Sequence, residues 1–213
     1  MELSLLVIFF IVVAVVATNL YKTKLLNNRE KFINTYRFPE KISQQLISTY
    51  PHLTTNQQKE VIKGLHDYFQ VCLILGKKPI AMPSKIVDLA WHEFILFTKA
   101  YQSFCKQAFG RFLHHTPAEA MASQTMAQEG VRNTWKIACK QKNINPRNPK
   151  KLPLLFAIDK KLAIKDGFHY KLNCKKAQGG DYCANHIGCG SGCGVDDSYS
   201  SCSSGCSSGC GGD

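Results

Sequence analysis

PSKIVDLAWHEFILFTKAYQSFCKQAFGRFLHHTP, residues Pro83 to Pro117, is the stretch whose reading decides the fold. Pro83 and Ser84 form a helix start, because proline suits the first turn and serine caps free N–H groups. No breaker follows until Gly110, a natural stop, so the pattern predicts one helix from Ser84 to Phe109. At about 100° per residue, Ile86, Val87, Ala90, Phe94, Phe97, Tyr101, Phe104, Cys105 and Ala108 share a broad apolar face. Asp88, His92, Lys99, Gln102, Ser103 and Lys106 lie opposite, with Trp91 and Ile95 at the border. An apolar face this wide belongs to the central helix of a bundle.

The polar stripe has two readings. In one it is a solvated face on which Asp88 and His92 form an i, i+4 pair. In the other, His114 or His115 returns from the turn after Gly110 and completes a carboxylate–imidazole set with them. Two nitrogens and an oxygen suit zinc or another divalent transition metal. Cys105 falls on the apolar face away from this pair, as a buried structural thiol would.

The residues Val87-Asp88-Leu89-Ala90-Trp91-His92, Ile95 to Thr98, Tyr101, Phe104-Cys105, Gly110 and His114-His115-Thr116-Pro117 resemble the glycine-rich domain-containing protein-like family. That group has a helical region with a D-x-x-W-H core and a later histidine. The resemblance runs from about Pro39 to Tyr170 and includes LPLLFAIDKK at Leu152–Lys161. It implies a helical fold, and it would mark Asp88, Trp91, His92, Tyr101, Cys105 and His115. No biochemical activity comes with it, and a Gly-rich tail does.

Leu3 to Tyr21 carries no charge, and its nineteen residues would span about 29 Å as a helix, enough to cross a bilayer. No Lys or Arg precedes it, whereas Lys22, Lys24, Arg29 and Lys31 follow directly. By the positive-inside rule this is a single-pass anchor with the N-terminus outside and the body in the cytoplasm. The alternative is an export signal cleaved near Ala17. In a reducing cytosol the ten cysteines would be thiols, metal ligands or redox groups; after export they would be disulfide candidates.

The chain's formal net charge is +12. Beyond residue 173, Lys175 and Lys176 face Asp181, Asp196, Asp197 and Asp213, so the anchor and body together hold +14. Such a body beside a membrane is attracted to anionic headgroups. The sequence has no recognised nucleic-acid motif, and its lysines are scattered rather than interleaved with aromatics. A glycine-rich phosphate loop, paired catalytic carboxylates and a hydrolase elbow are also absent, so no substrate can be read.

Four segments follow: an anchor at 1–21, a basic juxtamembrane linker at 22–38 that could extend the first helix, a helical domain at 39–173 and a Cys/Gly/Ser-rich tail at 174–213. The fold class is mainly α, a small bundle behind one transmembrane helix with a disordered tail. Within the domain, Pro39 opens a helix ending before Pro51, with Ile42, Leu46 and Ile47 on one side. Thr55 and Gln58 read as a capping box for a helix to Gly76. Thr116, Pro117 and Glu119 start another that runs towards Asn143, Leu154–Ile164 is a short last helix, and Gly167–Leu172 is extended.

The tail holds almost no apolar side chains, so nothing offsets the entropy of ordering it. Cys174, Cys183, His186, Cys189, Cys193, Cys202, Cys206 and Cys210 have loose ligand-like spacing for zinc or another soft transition metal. Three functions remain open: a membrane-anchored binding or interaction module with a metal-binding or redox-active tail and a protein partner, a metal-dependent enzyme using an Asp/His/His site, and a structural envelope protein with a disulfide-forming tail.

Overall fold

The first helix, α1 (Glu2–Thr35), runs for 34 residues and has two unlike halves. Its apolar half, from Leu6 to Leu20, is exposed along its whole length, and it is long and apolar enough to be a membrane span or a signal sequence. The basic half continues the same helix into the bundle, where Ile33 is fully buried and Phe32 and Tyr36 stack on Phe104. The stretch expected to be a linker is therefore helical through Thr35, and its last residues pack in the core. This is a computed structural model, and it describes residues 2–115, 124–172, 181–184 and 187.

Next comes α2 (Glu40–Thr49), preceded by Pro39, which fixes φ at its N-cap. Ile42 and Leu46 are buried, but Ile47, expected beside them, is exposed. α3 (Thr55–Leu75) is opened by a capping box one residue earlier than the sequence indicates, formed by Thr54 and Gln57. The shift has a cause: Gln58 turns inward and donates to the Leu53 carbonyl at 3.3 Å, leaving Gln57 Oε1 to accept from Thr54 N at 2.8 Å.

The single helix expected over Ser84–Phe109 is two, α4 (Lys85–Leu96) and α5 (Thr98–Phe109), separated at Phe97 by a ψ of 60°. Trp91 Nε1 donates to Tyr101 Oη at 3.1 Å. In an unbroken helix those residues would be about 15 Å apart along the axis. The break is what brings them together. Phe94 and Phe104, also on opposite sides of it, have ring centroids 5.3 Å apart. Gly110 ends α5 in the left-handed region, at φ +69°, as its residue type predicts.

α6 (Gln124–Gln141) and α7 (Leu154–Lys161) complete the seven helices among the described residues. The helix start expected at Thr116, Pro117 and Glu119 lies outside them. Two short strands, β1 (His169–Lys171) and β2 (Asp181–Cys183), pair in parallel with Tyr170 opposite Tyr182. The folded part thus reaches past Cys174, where the sequence places the start of an unpacked tail. Its local reason is visible: Tyr182 stacks on Tyr170 at 5.4 Å, and Ala184 is fully buried.

One apolar core runs through these elements. An aromatic cluster of Phe32, Tyr36, Phe38, Phe69, Phe94 and Phe104 joins α1, α3, α4 and α5, while Trp135, Phe156 and Tyr170 stack between α6, α7 and β1. α3 and α4 approach so closely that a Cβ on Gly64 would sit 2.8 Å from Val87 Cγ2. That approach fixes the register of α4, and Val87 is the residue before Asp88.

Candidate metal site

The site is built from the start of α4 outward. Ser84 caps the helix by accepting from Val87 N at 3.2 Å and donates to Asp159 Oδ1 at 2.6 Å. The Asp159 carboxylate, buried on α7, also accepts from Lys85 N at 2.7 Å, Ile86 N at 3.3 Å and Phe168 N at 2.9 Å. It thereby satisfies the free N–H groups of the first turn, where a negative charge is also favoured by the helix dipole. Sequence reasoning gave Asp159 no role. Its signal was an aspartate on the apolar side of α7, among Leu155, Phe156 and Ile158.

With that turn fixed, Asp88 and His92 project together. His92 Nδ1 lies 3.0 Å from the Asp88 backbone oxygen and 3.4 Å from its Oδ2. His115 arrives from beyond α5, its Nε2 2.8 Å from Asp88 Oδ1 and its ring 4.1 Å from that of His92, centroid to centroid. One donor atom from each of Asp88, His92 and His115 fits within a span of 4.8 Å. The structure thus selects His115. His114 is exposed, stacks on Phe112 at 4.8 Å and stands outside the cluster.

Three other residues hold His115 in place. Tyr101 Oη, which accepts from Trp91, donates to the Leu113 carbonyl. The Cys105 thiol, fully buried, lies against the Leu113 backbone and Tyr101. Trp91, Tyr101 and Cys105 thus gather at Leu113, two residues before His115, and the Trp91 and His115 rings pack edge-on with centroids 4.4 Å apart. Trp91 is buried, so it is a positioning residue and offers no polar group to the site itself. Burial raises the pKa of the Cys105 thiol and of the Tyr101 hydroxyl, keeping both protonated at neutral pH.

The three side chains are graded in exposure: His115 is 10% accessible, Asp88 31% and His92 47%. One side of the site is walled by aromatics and the other opens to solvent. If His92 Nδ1–H donates to the Asp88 carbonyl, Nε2 keeps its lone pair for a ligand, an arrangement common among metal-binding histidines. A separate cleft of about 300 Å³, lined by Glu60, Lys63, Lys142, Lys151 and Lys161 among others, shares no residue with this cluster.

Of the tail residues named as ligands, only Cys183 lies among those described, and it is disulfide-bonded. A disulfide sulfur is no thiolate donor, so in this state Cys183 does not serve a metal. Cys174, His186, Cys189, Cys193, Cys202, Cys206 and Cys210 lie outside the described residues.

The model of the UCP032817-like family matches residues 28–189. The chain belongs to that family. It is an uncharacterised one, and the match takes in the end of α1 from residue 28, the whole Asp88/His92/His115 cluster and both strands. The matched description carries neither the glycine-rich designation nor the anchor. No curated protein and no solved structure matches the chain.

Proposed function

We propose that this member of the UCP032817-like family is a membrane-anchored helical binding module that holds a divalent transition metal of the zinc class on Asp88, His92 and His115. The observation that carries the reading is the delivery of His115. Three donors from two separate parts of the chain meet within 4.8 Å, and the hydrogen-bond chain from Trp91 through Tyr101 to the Leu113 carbonyl fastens the backbone that brings the third. A solvated Asp–His pair would need no such fastening. Three protein ligands leave a coordination position for solvent, a partner or a substrate, and the exposed side at His92 gives access to it.

The test is a cobalt(II) titration of the full chain in detergent. Binding through nitrogen and oxygen gives visible d–d bands without the near-ultraviolet charge-transfer band of a thiolate ligand. Those bands should vanish in His92→Ala and in His115→Ala and persist when the tail cysteines are changed to serine. Unaltered bands in His115→Ala, or a spectrum dominated by thiolate, would reject the site.

The same set supports a second reading, a metal-dependent enzyme, because the 2.8 Å contact between Asp88 and His115 also suits proton transfer. The third, a structural envelope protein with a disulfide-forming tail, draws on the disulfide at Cys183. Orientation turns on two facts. The cations after the apolar run favour a cytoplasmic body, and the disulfide at Cys183 favours an oxidising compartment. Thiol labelling of intact cells separates them, since tail cysteines that label only after reduction place the body outside.

A further inference from the structure

We propose that one end of the bundle is a lipid-contacting surface that lies on the anionic headgroups of the bilayer entered by α1; the inference rests on the membrane-anchor reading above. Contacts along α1 identify that end. Ile33 O accepts from His66, Phe32 stacks on Phe104 at 5.7 Å, and, earlier in the helix, the Arg29 guanidinium lies where a Cβ on Gly110 would fall. Going back towards the apolar half, α1 therefore leaves the bundle past the C-terminal ends of α3 and α5. Those two ends are tied together, because Arg111 donates from its Nη2 to the Gly76 carbonyl.

The side chains at this junction are those that an interface with lipid requires. Ile74, two residues before Gly76, is 55% exposed, and Phe112, next to Arg111, is 44% exposed. Lys77 and Lys78 follow Gly76 and are exposed, and Lys22, Lys24 and Arg29 stand on the adjoining stretch of α1. Arg29 is eight residues past Tyr21, about 12 Å along the helix axis. That puts Arg29 a few ångströms outside the headgroup layer, which is about 5–8 Å deep, and long basic side chains reach back to it. Apolar residues flanked by lysine and arginine match such a surface, because the cations are drawn to anionic lipid.

Phe112→Trp in the full chain, reconstituted in vesicles, reads the contact directly. The two native tryptophans, Trp91 and Trp135, are buried and supply a constant background. Phosphatidylcholine carrying a nitroxide on its choline headgroup should quench the added emission, more strongly when phosphatidylserine is present. Lys77→Glu combined with Lys78→Glu should abolish the extra quenching in the phosphatidylserine vesicles. Ile74→Trp repeats the reading should Phe112→Trp fail to fold. Retention of the chain in the membrane after alkaline extraction, without quenching of either added tryptophan, overturns this inference alone. Quenching that is equal with and without phosphatidylserine removes the anionic preference. Release of the chain by alkaline extraction overturns the anchor and this inference together.

Discussion

Tyr101→Phe removes one oxygen atom and keeps the ring. In the structure that oxygen accepts from Trp91 Nε1 at 3.1 Å and donates to the Leu113 carbonyl, and all three residues are buried. The variant loses two hydrogen bonds and leaves a buried indole N–H and a buried carbonyl unpaired, for a cost of about 2–4 kcal/mol. For a domain of this size that lowers the thermal midpoint by about 4–16 °C. The segment carrying His115 loses its anchor as well, and metal affinity should fall about 10–100-fold, the usual effect of removing a group that orients a ligand. Thermal unfolding followed by circular dichroism and cobalt(II) titration of the same sample measure both effects. An unchanged midpoint together with unchanged metal affinity would refute the role given to the Trp91–Tyr101–Leu113 chain. A lowered midpoint with full affinity would confine Tyr101 to stability.

Three further outcomes follow from the same structure. Asp159→Asn should cost about 2–4 kcal/mol, because a buried carboxylate taking four donors is replaced by a group with one acceptor oxygen; faster amide hydrogen exchange at Lys85 and Ile86 would localise the loss to the start of α4. Gly64→Ala should destabilise by about 1–3 kcal/mol, since its Cβ would press on Val87 Cγ2 and push α4 away, and denaturant unfolding measures it. Burial lowers the pKa of His66 against the opposing pull of its Ile33 hydrogen bond, so below its ordinary 6.5 the unfolded chain takes up a proton that the folded one refuses, and stability gained from burying the neutral ring is lost as pH falls; a thermal midpoint that is flat across that acid range in wild type and in His66→Gln alike would contradict this.

How far the sequence could be read depended on whether the decisive contact was local. Ser84 as a cap, Gly110 as a left-handed stop and the i, i+4 pairing of Asp88 with His92 all follow from residue type and spacing within a turn or two. His115 was legible as a partner only together with His114, because choosing between adjacent residues requires knowing how the segment after Gly110 is held. That holding depends on the break at Phe97, and nothing local announces it: every residue from Lys85 to Phe109 is compatible with a helix, and the Trp91–Tyr101 bond that accompanies the break spans it. Asp159 was hidden for a similar reason, since its partners lie 73 to 75 residues away at the start of α4. In the tail, composition outweighed a single aromatic. Tyr182 finds Tyr170 and the strand forms, although its neighbours are glycine, cysteine and polar residues.

X-ray absorption at the zinc edge, recorded on the full chain loaded with one equivalent of zinc, tests the central claim most directly. The account predicts a first shell of nitrogen and oxygen with the scattering pattern of two imidazoles, and loss of one imidazole in His115→Ala. A shell dominated by sulfur, or one that keeps both imidazoles in His115→Ala, would contradict it.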